Sequence, residues 1–261
     1  MGLFGFPRRT RPTDFPPLPE QAWLEASRYR PALRALAPGD ALRLRSLASW
    51  FLSTREFSPS GGAAPTEADL ASIALLACLP VLRLDAAWWF RGWSTLVLVH
   101  ESFTSRMESV DRAGVVTEYD DELSGQVTGM GPVLLSLQDV RESGLGDGYD
   151  VVVHEVAHKL DGREGELDGC PPLRRGMSGS AWRESFSEAF LDFRGRVDRA
   201  SRGGRRRGAA GRLPLDEYAA ESPEEFFAVA CEHFFHTPRR LEQAYPAVHA
   251  RLSEFFIAPE S

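Results

Sequence analysis

The first third of the chain alternates between helical patterns of apolar residues and stretches rich in Pro and Gly. Residues 1–16 are rich in Pro and Arg and predict an irregular N-terminal arm. From Glu20 onwards apolar residues recur at helical spacing, and Pro38–Asp40 marks the start of a new helix. Thr66–Asp69 has the residues of a capped helix start, and that helix is expected to run to about Leu79. This part of the chain therefore predicts a helical layer.

Short apolar runs typical of β-strands follow the helical layer. Turn-forming clusters of Gly, Asp and Ser separate three of them, which are Thr95–His100, Val115–Tyr119 and Val133–Leu137. We expect these runs to form a small mixed sheet, whereas Ser58–Pro65 is rich in Ser, Gly and Pro and predicts a loop. Most of the sheet residues are expected to cover the helices, but an exposed edge strand can also pair with an extended peptide.

Helical spacing returns around the run His154-Glu155-Val156-Ala157-His158. Val153, Ala157 and Leu160 form an apolar stripe at i, i+4 and i+7, which is the pattern of a helix that buries one face. Gly162 follows at the position where a helix stop is expected. The run therefore lies on a predicted buried helix.

The last part of the chain predicts two further helices with an Arg-rich segment between them. One helix is expected from about Ser180 to Val197, with its aromatic residues on one side. Arg194–Arg212 carries many Arg residues among Gly and Ala, and we expect a solvated, mobile loop there. Ser222 and Pro223 are suited to the N-cap and first position of the final helical stretch.

Composition places the chain among ordinary globular proteins. Its 261 residues are 43% hydrophobic and 26% charged, which suits one α+β domain over residues 1–261 that is mainly helical. A net charge of -7 disfavours direct binding of nucleic acid. No apolar run is long enough to span a membrane, and the start lacks a secretory apolar core. Three sparse cysteines fit a reducing compartment, so we expect a cytoplasmic protein.

The spacing of His154 and His158 suggests a metal site. Residues four apart on a helix lie on one face, so the two imidazoles can supply two ligands of one tetrahedral zinc ion. Glu155 follows the first histidine directly, where a carboxylate can take a proton from a metal-bound water. The motif therefore predicts one Zn²⁺ per chain with Glu155 as a candidate general base.

Asp161 falls on the same helix face as the two histidines. A carboxylate in the last turn opposes the helix dipole, so it needs a partner. A hydrogen bond to a ligand imidazole would supply one and would make Asp161 a residue of the second coordination shell. Exposure to solvent or capping of the next turn is an equally good explanation of the same residue.

The third metal ligand is not determined by local sequence rules. Glu225, Glu232 and Glu188 rank equally, because each lies on a predicted helix rich in Phe and Ala that must pack inward. Weaker candidates are the remaining histidines of the strand and the last helices, which are His100, His233, His236 and His249. The residues alone leave these alternatives open.

Several motifs in matching order resemble one known family. They comprise Ile73–Leu82, Gly131–Ser136, the run His154–Asp161, Pro171–Leu173 and the run Tyr218-Ala219-Ala220 with its continuation through Val229. Together they resemble the Mlc titration factor A family of zinc peptidases, and the likeness extends over most of the chain. It is far more specific than His-Glu-x-x-His alone.

The resemblance implies a set of site residues. The metal ligands would be His154, His158 and Glu225, with Glu155 as the general base and Tyr218 as the donor that steadies the developing oxyanion. A phenol suits that task because it stays protonated at neutral pH. Two His and one Glu form the ligand set of thermolysin-type zinc sites.

The resemblance also implies a fold and two activities. The fold would place the sheet beside a zincin-type active-site helix, as in the catalytic core of anthrax lethal factor. The implied activity is that of a zinc metallopeptidase, aminopeptidase-like, on peptide substrates, and the implied partner is the transcription repressor Mlc. A non-catalytic protein that sequesters a repressor around a structural zinc is the alternative, and Glu155 favours the enzyme because a structural zinc site needs no base.

Overall fold

The computed structural model of this chain describes residue 12 and residues 15–100, 131–202 and 213–257. These residues form short strands and many helices, with a 3-10 turn at Glu217–Ala220. In chain order the elements are α1 (Glu20–Ser27), α2 (Pro31–Arg34), α3 (Pro38–Thr54), β1 (Glu56–Pro59), α4 (Glu67–Cys78), α5 (Ala86–Trp89), β2 (Thr95–Val99), β3 (Val133–Ser136), α6 (Leu137–Glu142), α7 (Val151–Asp161), α8 (Gly179–Arg202), α9 (Pro223–His236), α10 (Pro238–Ala244) and α11 (Pro246–Phe256). The fold is α+β and mainly helical, as the sequence predicts.

The described strands form one sheet in the order β1-β2-β3. Both pairings are parallel, with Glu56 beside Thr95 and Leu96 beside Val133. These three strands therefore form a parallel sheet and not the expected mixed one. The predicted strand Val115–Tyr119 lies outside the described residues. Parallel pairing follows from the chain path, because α4 and α5 lie between β1 and β2.

Strand β1 corrects the prediction of a loop that begins at Ser58. Ser58 pairs with Val97, and the backbone N–H of Ser60 donates to the carbonyl of Leu98 at 2.8 Å. Pro59 ends the strand at the sheet edge, a position that tolerates a residue without an N–H. Strand β1 forms because it pairs with β2, and the local composition of Glu56–Pro59 does not encode that pairing.

Helix α8 corrects the boundary of the expected Arg-rich loop. The helix continues to Arg202, so Arg194–Arg202 is helical, and residues 203–212 lie outside the described part. Phe193 is fully buried and Val197 packs against the core, so the apolar stripe continues into the segment expected to form a loop. Asp192 and Arg196 also form an ion pair one turn apart at 2.7 Å, which favours the helix.

Helix α7, which carries the His-Glu-x-x-His run, lies at the centre of the packing. It contacts α9, α4, α6 and β3. Helix α4 supplies one wall, since its residues from Ile73 to Cys78 are all buried. Cys78 and Cys231 are free and buried, as expected of small apolar residues. No helix in the described ranges is both long enough and apolar enough to cross a membrane.

Candidate metal centre

Helix α7 is held rigidly at its N-terminus. One carboxylate oxygen of Asp150 accepts from the backbone N–H groups of Val152 and Val153 at 3.0 and 3.1 Å. This is an N-cap of the kind that stabilises the first turn of a helix. The two imidazoles of His154 and His158 then lie on one face, with ring centroids 4.8 Å apart.

Helix α9 brings Glu225 to the same face. Ser222 caps the helix by accepting from the backbone N–H of Glu225 at 3.4 Å, and Pro223 occupies its first turn. Local rules explain Glu225 as part of a capped helix start. Its carboxylate, however, points across to α7, because α7 and α9 pack directly against one another.

Three donor atoms from these two helices converge. Oε2 of Glu225 lies 3.0 Å from Nε2 of His154 and 3.4 Å from Nε2 of His158, and the two Nε2 atoms are 3.1 Å apart. Among the described residues, this is the cluster of His, Cys, Asp or Glu that could hold a metal ion. Two imidazole nitrogens and one carboxylate oxygen are the donor set of a catalytic zinc site, so the residues fit the implied metal.

The electrostatics of the cluster favour a cation. Burial lowers the pKa of His154, but hydrogen bonds to Glu225 and Glu232 outweigh it and raise that pKa to about 10. Burial likewise raises the pKa of Glu225, but His154 and His158 more than offset this and lower the value to about 2. Without a metal, the carboxylates of Glu225 and Glu232 therefore favour a proton on His154.

Glu232 lies behind His154. Its Oε1 is 2.9 Å from Nδ1 of His154, and its Oε2 accepts from the backbone N–H of Asp150 at 2.5 Å. Only 4% of Glu232 is exposed. Metal-binding imidazoles commonly donate their second N–H to a carboxylate, which fixes the tautomer and the ring orientation. Glu232 thus lies where a carboxylate that supports a metal-binding histidine would lie. Its seven-residue spacing from Glu225 puts both on one face of α9, and that spacing can be read from the sequence.

A second buried pair extends this network. Nε2 of His236 lies 2.7 Å from Oδ2 of Asp150, and both side chains are fully inaccessible. Asp150 therefore caps α7, contacts His236 and donates its backbone N–H to Glu232. The residue that caps α7 and the carboxylate that contacts His154 therefore belong to one hydrogen-bonded network.

Asp161 has a different partner from the expected imidazole. Its Oδ2 accepts from the backbone N–H of Gly169 at 2.8 Å, so it anchors the loop that follows α7. Burial raises its pKa to about 6 against this hydrogen bond. Within the described residues, Oδ1 of Asp161 and Nδ1 of His158 are both buried without a hydrogen-bond partner. The loop backbone therefore supplies a donor to one oxygen of a carboxylate for which the sequence left an imidazole partner, solvent and capping of the next turn equally open.

Gly169 links Asp161 to the helix that carries Glu225. Its carbonyl accepts from Nε1 of the fully buried Trp182 at 2.9 Å. Its φ is +77°, and a Cβ atom there would lie 2.7 Å from the carbonyl oxygen of Pro223. The loop thus packs directly onto the first turn of α9, the helix that carries Glu225.

Tyr218 and Glu155 border the cluster. The Tyr218 ring centroid lies 5.9 Å from that of His154, on the 3-10 turn before α9, and 45% of the residue is exposed. Burial, followed by the negative charges of Glu225 and Glu221, raises its pKa to about 12, so the phenol keeps its proton. Glu155 is half-buried, and its charge acts on both His154 and Tyr218.

The other candidate ligands lie away from the cluster. Glu188 is exposed on α8, and His100 is exposed just after β2. His233 contacts Thr237, with 2.6 Å between Nδ1 and Oγ1, and its ring also packs against Gly148. His249 lies beside the ring of Phe234. Each of these residues has a role in packing or lies at the surface.

Known proteins resemble this chain over most of its length. The family model described as glucose-regulated metallo-peptidase M90 matches residues 6–257. The chain is 33% identical over 258 residues to Mlc titration factor A of Edwardsiella ictaluri, covering 97% of this chain and 93% of that relative. It is also 33% identical over 235 residues to Mlc titration factor A of Yersinia pestis, covering 90% of this chain and 83% of the relative. The chain therefore belongs to the glucose-regulated metallo-peptidase M90 family.

Proposed function

We propose that this protein is a zinc-dependent peptidase whose metal ligands are His154, His158 and Glu225. The observation that carries the proposal is the convergence of two Nε2 atoms and one carboxylate oxygen within hydrogen-bond distance of one another. Three protein ligands leave one tetrahedral position for water or substrate, which is the arrangement of catalytic zinc sites. Membership of a metallopeptidase family supports the same conclusion.

The chemistry divides between the metal and the chain's own residues. Bound zinc would polarise the scissile carbonyl and lower the pKa of water to about 7. Glu155, held next to His154 on a capped helix, accepts the proton of the attacking water and delivers it to the leaving amine. Tyr218 donates its phenolic proton in a hydrogen bond to the oxyanion, and its pKa of about 12 keeps that donor available at neutral pH.

An aminopeptidase-like preference for short peptides is the specificity that we propose. Its support is the resemblance between the motifs of this chain and the Mlc titration factor A family. The exposed position of Tyr218 at the rim is compatible with entry of a peptide from solvent. The negative charges that act on Tyr218 would favour a positively charged amino terminus at this rim.

We further propose binding of a transcription repressor as a second function. The specific observation is that two relatives are named Mlc titration factor A. A cytoplasmic location, predicted from the sequence, is where such a partner would be encountered. Binding alone around a structural zinc is the competing proposal, and Glu155 beside the ligands supports hydrolysis instead, because a structural site needs no base.

Chelation tests the enzymatic proposal. The purified protein should hydrolyse an alanyl chromogenic substrate, lose that activity when zinc is removed by a chelator, and regain it when one equivalent of zinc is added. Activity that persists in protein shown by elemental analysis to be metal-free would overturn the proposed mechanism. Co-precipitation with purified repressor, in the presence and absence of zinc, tests the second function.

A further inference from the structure

Lys159 is the only lysine in a chain that has 30 basic residues, the others being arginine. It directly follows the proposed ligand His158. Only 8% of it is exposed, although a buried ammonium group is unfavourable unless it is paired. All the remaining Lys or Arg positions of the chain are arginine, and the one lysine is at this buried position.

The Lys159 ammonium group donates to the backbone carbonyl of Gly131, with 2.7 Å between Nζ and the oxygen. Glu155, one turn earlier on α7, supplies a negative charge nearby. A single carbonyl acceptor suits a compact ammonium, whereas a guanidinium has five donors in a planar fork and needs several acceptors. The site therefore explains why lysine is found here.

Gly131 and Pro132 lead directly into β3, which is at one edge of the sheet formed by the described strands. Helix α7 also contacts β3. The bond between Lys159 and Gly131 consequently joins the helix with the proposed ligands to the beginning of this edge strand. An extended peptide can pair with a strand edge, so the position of β3 relative to α7 would set where a bound backbone lies.

We propose that Lys159 is a positioning residue, which rests on the proposed function. Its ammonium group fastens the start of β3 to α7 and thereby holds the strand edge in register with the catalytic centre for an extended peptide substrate. The Lys159 ammonium group binds the Gly131 carbonyl and contributes no donor atom to the proposed metal cluster, so its loss should leave zinc binding intact.

Amine acylation tests the contact independently of any activity. The only amines of the chain are its N-terminus and Lys159, so mass spectrometry can count acetyl groups added by an acetylating N-hydroxysuccinimide ester. The native protein should gain one group and the unfolded protein two, while Lys159→Met should gain one in both states. Rapid addition of the second group to native wild type would overturn the proposal.

Peptide length tests the positioning role. In Lys159→Met the KM for a peptide of six or more residues should rise about tenfold, because a strand edge that is no longer fastened to α7 is less pre-organised to bind an extended backbone. Its kcat should change by the same factor for both substrates, because any effect of the lost charge on Glu155 is common to them. The KM for a single-residue chromogenic substrate should not change, because that substrate cannot reach the strand edge. Zinc content should stay at one per chain.

Arg163→Met is the matched control. Arg163 lies just after α7 and donates to the backbone carbonyl of Trp88 at 3.0 Å. This hydrogen bond therefore joins the end of α7 to α5 and not to β3. This variant should keep the wild-type KM for both substrates. Equal KM values for wild type and Lys159→Met on the long peptide, or an equal rise in Arg163→Met, would overturn the inference. If zinc-loaded wild type hydrolysed neither substrate, the proposed function would be overturned, and the positioning role with it. Protection of the Lys159 amine from acylation would persist in that case, which distinguishes this outcome from loss of the Lys159 contact.

Discussion

Nδ1 of His154 lies 2.9 Å from Oε1 of Glu232, while Nε2 of the same ring lies 3.0 Å from Oε2 of Glu225. Both glutamates come from α9 and are two helical turns apart. His154 is therefore held between a supporting carboxylate and a proposed ligand carboxylate. Because Glu232 accepts from Nδ1, it leaves the lone pair of Nε2 for the metal in the neutral imidazole.

Replacement of Glu232 should weaken the zinc site without removing a ligand. In Glu232→Gln the side-chain amide cannot replace the carboxylate as an acceptor for both His154 and the Asp150 backbone. We expect zinc affinity to fall about 10- to 100-fold, as measured by competition with a chromogenic chelator. Glu188→Gln, on the exposed face of α8, should bind zinc as tightly as wild type. Equal affinity in the two variants would refute the supporting role of Glu232.

Removal of Glu225 should abolish stable zinc binding, because only two imidazoles would remain. Elemental analysis of Glu225→Ala after dialysis should find well under one zinc per chain. The neighbouring Glu224→Ala removes a carboxylate from the same helical turn and should retain one zinc. Stoichiometric zinc in Glu225→Ala would defeat the third-ligand assignment and direct attention to Glu232.

The sequence alone predicted the helix of His154 and His158, because a four-residue spacing and an apolar stripe are local properties. It did not separate Glu225 from Glu232 and Glu188, since all three lie on amphipathic helices. Their roles depend on which face of α9 meets α7, a contact between segments far apart in the chain. Only the family resemblance selected Glu225. Strand β1 was missed for the same reason, because its pairing with β2 is not encoded in Glu56–Pro59.

Because Gly169 contacts α9 closely, its replacement by a residue with a side chain should lower the stability of the protein. In Gly169→Ala the new Cβ would lie 2.7 Å from the Pro223 carbonyl at a φ of +77°. We expect a loss of about 1 to 3 kcal/mol in the free energy of unfolding, measured by urea denaturation, together with weaker zinc binding. Gly165→Ala is the control, since a Cβ there meets no atom within 4 Å. Equal stability of the two variants would contradict the close packing of this loop.

The stability of the metal-free protein should depend on pH through His154. Its folded pKa of about 10 exceeds the usual 6.5, so the folded state binds the proton more tightly. This contribution is fully present below about pH 6.5 and is lost as the pH rises towards 10. The urea midpoint of chelator-treated protein should fall over that range. His154→Asn should show a smaller decrease, and identical profiles would contradict the assignment.

The most direct test of the zinc peptidase is zinc content and peptide hydrolysis in wild type and Glu155→Gln measured side by side. Each protein should contain one zinc, because Glu155 is not a ligand, and only wild type should hydrolyse the substrate, with activity in the variant lower by at least about a hundredfold. One zinc in both proteins with no hydrolysis in either would contradict the peptidase and favour a binding protein. Absence of zinc from wild type would contradict the metal centre itself.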